Sequence, residues 1–301
     1  MSLVFLILSL LSMAAAVAVK VMFVPASEGI NITGAHVFFT LKTPIQDLPI
    51  TEAQVNSWCV ILAVMFLCLF LTSGLKTRNI SVRQLVAEWI VEKVTTLVRS
   101  NMGEFFEGFA PFIAAILGLS AFSSLSSLLG IFPPTSDINI IAGWAILVFI
   151  LITYYKMKAG PWIYMKSFGQ PVPLLAPLNI ISEVATPISM AFRHYGNVLS
   201  GSIISVLVAV GLTDVSHKIF SFLPGAFSDF PYLRIGVPAI LSIYFDLFSG
   251  CLQAFIFAML TMLYVSGGFP AEEYAARKKR RQERAEARAA RANAKEQKAE
   301  I

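Results

Sequence analysis

Residues 171–212 run for 42 positions with only two full charges, Glu183 and Arg193, and residues 236–268 run for 33 positions with only Asp246. Stretches this long and this poor in charge cannot be solvated, because a soluble helix needs a polar face for water. They are long enough to cross a hydrocarbon layer about 30 Å thick. At helical rise the first measures roughly 60 Å and the second roughly 50 Å, so each must tilt, bend or hide a hairpin. Pro187 offers a kink in the first. Three shorter uncharged runs, 58–74, 109–132 and 138–155, supply three more spans.

Composition agrees. Apolar residues make up 56% of the 301 and charged residues 14%, against about 25% charged in an ordinary globular chain. The formal charge of +5 is a property of the end of the chain. Residues 271–301 carry ten Lys/Arg and six Asp/Glu, leaving thirteen basic and twelve acidic residues in the rest. The basic balance is therefore no nucleic-acid-binding face, and no nucleic-acid partner is expected. Cys59, Cys68 and Cys251 form neither a CxxC nor a Cys/His cluster, so no disulfide framework, metal or cofactor is expected.

The fold class this implies is an all-α integral membrane protein of five or six membrane helices, the last two long, tilted and striped with polar residues. One amphipathic interfacial helix is added by Val82, Leu85, Val86, Trp89, Ile90, Val94, Leu97 and Val98 at helical spacing, opposite Gln84, Glu88, Glu92 and Thr95. Residues 1–20 read as a signal peptide or an N-terminal membrane helix: the apolar run fits both, small residues at 14, 16 and 18 favour cleavage, and the missing basic start opposes it. Residues 21–56 read as an extracytoplasmic segment punctuated by turns, 57–268 as the membrane domain and 269–301 as a charged tail. Basic residues after 75, after 155 and at the end fall on one side of the membrane, which makes the tail cytoplasmic.

An arginine inside oil carries the functional argument. Insertion scales charge about 2.5–3.5 kcal/mol for it, so it must face protein or water, and it cannot shed its proton. Around Arg193 a stripe recurs at helical spacing: Ser182 or Glu183, Thr186, Ser189, Asn197 and Ser200, with Gly196 and Ser200 at a spacing that admits a neighbouring helix. Ser242, Asp246, Ser249 and Gln253 draw a second stripe on the last stretch. An Arg193–Asp246 or Arg193–Glu183 staple would explain the charges structurally, whereas two full stripes suit a water-filled path. His194, about 100° round the helix from Arg193, is expected against a neighbouring helix or lipid headgroups. Asp137, after Pro133-Pro134, reads as a helix N-cap or a channel-mouth acid.

Met190-Ala-Phe-Arg193-His-Tyr-Gly196-Asn197-Val-Leu-Ser-Gly201 resembles the signature helix of the membrane subunit a of rotary F-type ATP synthases, and Leu252-Gln253-Ala-Phe-Ile-Phe257 through Leu263-Tyr264 resembles its final helix. Weaker matches lie at Gly130 with Pro133 to Asp137, at Gln84 with Glu88, and at Pro177-Leu-Asn179 leading to Glu183. The resemblance implies a non-catalytic, ion-translocating stator in the inner (plasma) membrane. Its partners would be a ring of small c subunits, the peripheral-stalk subunit b, the other synthase subunits and the lipid bilayer. Arg193 would be the fixed cation that exchanges ions with the ring carboxylates. Asn197, Gln253, Glu183, Asp246, Ser200 and Ser249 would line two half-channels for protons or sodium. Relatives commonly carry Glu or His nine positions after the arginine and a matching His or Glu on the last helix; here those places hold Ser202 and Asp246. A self-contained secondary transporter binding an anion at Arg193 is the alternative, but no internal repeat supports it. An intramembrane serine hydrolase lacks a second histidine-bearing span.

Overall fold

The computed structural model describes residues 2–24, 34–44, 47–78, 80–158, 160–169, 173–221, 232–267 and 269. The charged tail from 270 onward lies outside them, as do 222–231. Six helical segments among the described residues are long and apolar enough to cross a membrane.

Helix α1, Ser2–Phe23, lies along α2, Glu52–Thr72. Ser9 Oγ donates to the Ala63 carbonyl at 3.0 Å, and Lys20 Nζ donates to the Gly130 carbonyl. The turn-rich segment between them holds an antiparallel hairpin that composition did not suggest: β1, Val37–Leu41, and β2, Leu48–Thr51, pair Phe39 with Ile50 and Leu41 with Leu48. Strand β2 runs straight into α2, whose start is fixed by a capping box between Thr51 and Gln54. The helix thus begins six residues before the expected Trp58. Glu52 is charged and Asn56 polar, yet both are buried, and Asn56 Nδ2 donates to the Phe132 carbonyl at 2.9 Å.

Helix α3, Val82–Met102, is the amphipathic helix, capped by Ser81. Its polarity is inverted at the start: Val82, Leu85 and Trp89 are exposed while Gln84 is buried. The Gln84 amide accepts from the Lys76 N–H and donates to the Lys76 carbonyl, both at 2.9 Å, and reaches Glu88 at 2.7 Å. Outward apolar groups are what a lipid-facing helix needs. A 3₁₀ turn, Glu104–Phe109, leads into α4, Ala110–Leu125, and a second, Ser126–Leu129, closes it. The expected Asp137 cap is formed: its Oδ1 accepts from the Asn139 N–H at 2.9 Å, opening α5, Ile138–Met157.

After α6, Pro161–Ser167, the longest stretch forms one 45-residue helix, α7, Ala176–Phe220. It is no hairpin. Pro187 removes one backbone N–H without ending the helix. The last stretch is α8, Tyr232–Ser242, a π-helical turn, Ile243–Ser249, and α9, Gly250–Gly267, in unbroken succession.

The chain falls into two compact units, Met1–Ala145 with Ile188–Met262, and Ile146–Pro187 with Leu263–Ile301. In the first, Ile113, Ile141, Met190, Ala254, Phe257, Ala258 and Met262 are buried, and Ala191 packs on Ile141 and Ala145 beside Trp144.

Candidate functional site

In the first unit the middle of α7, the π turn and the C-terminal half of α4 come together. Arg193 is exposed on α7, on a surface that also displays Ile188 and Phe192. Among the described residues it makes no ion pair, so neither structural staple expected as an alternative is formed. Its neighbour His194 points the other way and is fully buried. The His194 ring packs edge-on against Phe257 and Trp144, with centroids at 5.6 and 6.3 Å, and Nε2 lies 3.4 Å from Ser120 Oγ on α4. Of the two surroundings expected for this histidine, the structure selects the neighbouring helix. Packing on that side leaves Arg193, about 100° away, directed outward.

One turn further along, Asn197 is bound to the π turn. Ser249 Oγ donates to Asn197 Oδ1 at 2.9 Å, and Asn197 Nδ2 donates to the Ser249 carbonyl at 3.5 Å. Gln253 is buried in the next turn of α9. Asp246 is half-buried and lines a small cavity with Ser124, Ser127, Asn197, Gly201, Phe245 and Gly250. Ser124 and Ser127 bring two hydroxyls to the same cavity wall, with Ser127 Oγ donating to the Ser124 carbonyl at 2.7 Å. The π turn, a widened form common at functional sites, therefore carries the carboxylate.

Ser200, expected on the polar stripe, is exposed and donates back to the Asn197 carbonyl at 3.1 Å. The close helix approach expected at Gly196 is found elsewhere. A Cβ on Gly196 would meet nothing within 4 Å, whereas one on Gly201 would stand 3.1 Å from Phe245 and one on Gly250 only 2.6 Å from Ser124 Cβ. The glycines that matter are those facing the cavity.

These observations put an exposed arginine one helical turn from Asn197, which lines a polar, carboxylate-bearing cavity in a helical membrane protein, and sequence comparison gives the arrangement a family. Residues 55–266 match the family described as ATP synthase A chain. The chain belongs to that family. It is 34% identical over 225 residues to the ATP synthase subunit a of Bacillus pumilus, covering 69% of this chain and 89% of the relative. To ATP synthase subunit a 1 of Crocosphaera subtropica it is 30% identical over 226 residues, 71% and 87% of the two chains. To ATP synthase subunit a of Legionella pneumophila it is 26% identical over 244 residues, 79% and 94%. With six helices among the described residues long and apolar enough to cross a membrane, it is a multi-pass membrane protein of this family.

Where relatives in the family commonly place Glu or His, Ser202 is exposed and donates to the Leu199 carbonyl at 2.8 Å. It does not line the Asp246 cavity. Asp246 instead shares its cavity with Ser124 of α4, Ser127 of the 3₁₀ turn that follows it, and Asn197 of α7.

Glu183 belongs to the second unit, where α5 and α6 surround it. Lys156 Nζ lies 3.0 Å from Glu183 Oε1, and the Tyr164 hydroxyl donates to the same oxygen at 3.1 Å. Burial, followed by the negative charge of Glu183, pushes the Tyr164 phenol up to about 12. It remains a donor throughout the neutral range. Neither Lys156 nor Tyr164 was a candidate from sequence. Lys156 served there only as the end of a span, and pairing with a residue 27 positions away leaves no local signal.

Proposed function

We propose that this chain is the ion-conducting stator of a rotary ATP synthase. Arg193 is its fixed cation, and two half-channels run past Asn197, Ser200, Ser249, Gln253, Asp246 and Glu183. The observation that carries this reading is an exposed arginine, with no ion pair among the described residues, on a polar stripe in the middle of a membrane helix. Leaving it against lipid costs about 2.5–3.5 kcal/mol on insertion scales and more in simulations. A second protein surface bearing carboxylates removes that cost.

A ring of small subunits presenting one carboxyl group each would meet Arg193 in turn. The guanidinium favours the ionised partner and so drives the ion off as the group arrives. Because it never deprotonates, it cannot pass the proton on, and the two half-channels stay separated. Each charge that leaked would waste about 2.3 kcal/mol per 100 mV. ATP is made elsewhere in the complex, and this chain makes and breaks no covalent bond of the nucleotide. Its place is the inner (plasma) membrane, with the charged tail cytoplasmic and peripheral-stalk subunit b beside it.

The test is Arg193→Lys in the whole complex, reconstituted in vesicles. Charge is kept and the planar fork is lost. Ion-driven ATP synthesis is expected to vanish while the complex still assembles. Coupled synthesis at the normal rate would refute the reading, and activity of the isolated chain without other subunits would favour a carrier.

A further inference from the structure

Helix α7 is held by few contacts. Among its 45 residues only Pro187, Met190, Ala191, His194, Gly201 and Ser216 are buried. Met190, Ala191 and His194 lie within one turn of Arg193, so these three set the direction in which the guanidinium points. Methionine adapts its shape to its surroundings, and alanine offers a single methyl group, so neither selects one roll angle of the helix. A planar ring does, because aromatic neighbours prefer edge-on or offset contacts.

The His194 imidazole is fully buried and touches three other helices. Trp144 of α5 meets it at an interplanar angle of 88° and Phe257 of α9 at 78°, and those two rings meet each other with centroids 6.5 Å apart. On a third side Nε2 approaches Ser120 Oγ of α4. The other nitrogen, Nδ1, is buried with no hydrogen-bond partner among the described residues. A leucine would fill a similar volume without stranding that atom, so stability alone does not account for a histidine here. Roll matters because of leverage: a turn of about 20° swings a side-chain tip about 5–6 Å from the helix axis by about 2 Å. Misplacing a reacting group by about 1 Å can cost about 100-fold in rate.

We propose that His194 is the positioning residue of Arg193. Its imidazole, keyed between Trp144 and Phe257 and braced on α4, fixes the roll of α7, so that the guanidinium meets each facing carboxylate at one constant angle. His194 itself touches neither the ion nor the moving subunits. A carboxylate drawn past Arg193 pulls on the outer side of α7 and tends to turn the helix about its axis. The edge-on aromatic contacts on the inner side resist that turn. This inference rests on the reading of Arg193 as the fixed cation of a stator.

The experiment compares variants of the complete complex in vesicles by ATP synthesis, thermal stability and cross-linking from a photoactivatable residue in place of Ser189. His194→Leu keeps the volume and removes both the planar ring and the stranded nitrogen. Its complex should assemble with thermal stability unchanged or raised, while ion-driven synthesis falls about tenfold, within what a 1 Å misplacement can cost. Adducts from position 189 should spread from the facing small subunit to lipid and to this chain. His194→Phe, which keeps a ring, should retain most of the normal rate. Trp144→Leu should reproduce the loss and, combined with His194→Leu, add little to it, as two halves of one contact do. Val98→Ala, which empties a buried position on α3, should lower thermal stability without spreading the adducts. Normal synthesis in His194→Leu, with Arg193→Lys inactive, would overturn the positioning role and leave the stator reading standing. Normal synthesis in both would overturn that reading too. Failure of the His194→Leu complex to assemble, a fall in its thermal stability in step with synthesis, no recovery in His194→Phe, or equal spreading of adducts in Val98→Ala would make His194 a core residue only and overturn the proposal.

Discussion

Two carboxylates inside apolar helices, Glu183 and Asp246, are furnished differently. Glu183 has a fixed ammonium, Lys156 Nζ, at 3.0 Å and a phenol donor on the same oxygen. Asp246 has no ion-pair partner among the described residues; it lines a cavity together with the hydroxyl-bearing Ser124 and Ser127. An ammonium only donates, so the Lys156 geometry serves one state of the Glu183 carboxyl group, the ionised one. Hydroxyls donate or accept and serve both states. In our reading, Asp246 is equipped to exchange a proton and Glu183 to hold a charge in place, although the sequence presents them as equals.

The largest effect that this contrast predicts is from Lys156→Met. The change strands a Glu183 side chain that is only 11% exposed, and breaking such a pair costs about 2–3 kcal/mol, discounted for partial exposure. The thermal stability of the purified complex should fall, and Glu183→Gln added to Lys156→Met should recover it. No fall, or no recovery, breaks the contrast at the Glu183 end.

Asp246→Asn should do the opposite, slowing proton flux about tenfold, the effect of roughly 1.4 kcal/mol on a barrier, with thermal stability unchanged. Unchanged flux takes Asp246 off the path. The smallest effect is from Tyr164→Phe, which removes one partly exposed hydrogen bond to Glu183 and should cost about 1 kcal/mol in stability with flux within a factor of about two. A loss of flux as large as that of Asp246→Asn would make Glu183 a proton-exchanging group of its half-channel as well, and would break the contrast.

Much of the membrane architecture is legible because charge-free runs and helical rise are strong signals: α5 starts and stops close to where its run does, whereas α7 continues past the end of its run to Phe220, through Asp214 and Lys218. The failures have physical causes. The start of α2 was missed because Glu52 and Asn56 are polar but buried, although Thr51 and Gln54 spell a capping box. The outward apolar face of α3 agrees with an interfacial helix; what had no local signal is the burial of Gln84, which bonds to the Lys76 backbone and to Glu88. On the site side, Asn197, Ser249, Gln253 and Asp246 were found by spacing, and the structure does bring Asn197 and Ser249 into contact. Ser124 and Ser127 beside the cavity were overlooked because serine is small and nearly neutral in hydropathy. The π turn changes the helical phase without leaving any residue-type mark.

The central claim is that Arg193 faces another protein surface. A photoactivatable cross-linking residue in place of Phe192 or Ser189, exposed neighbours of Arg193 on α7, tests it in the intact complex. The account predicts adducts with a small membrane subunit present in many copies. Adducts confined to lipid, or to other parts of this same chain, would contradict it.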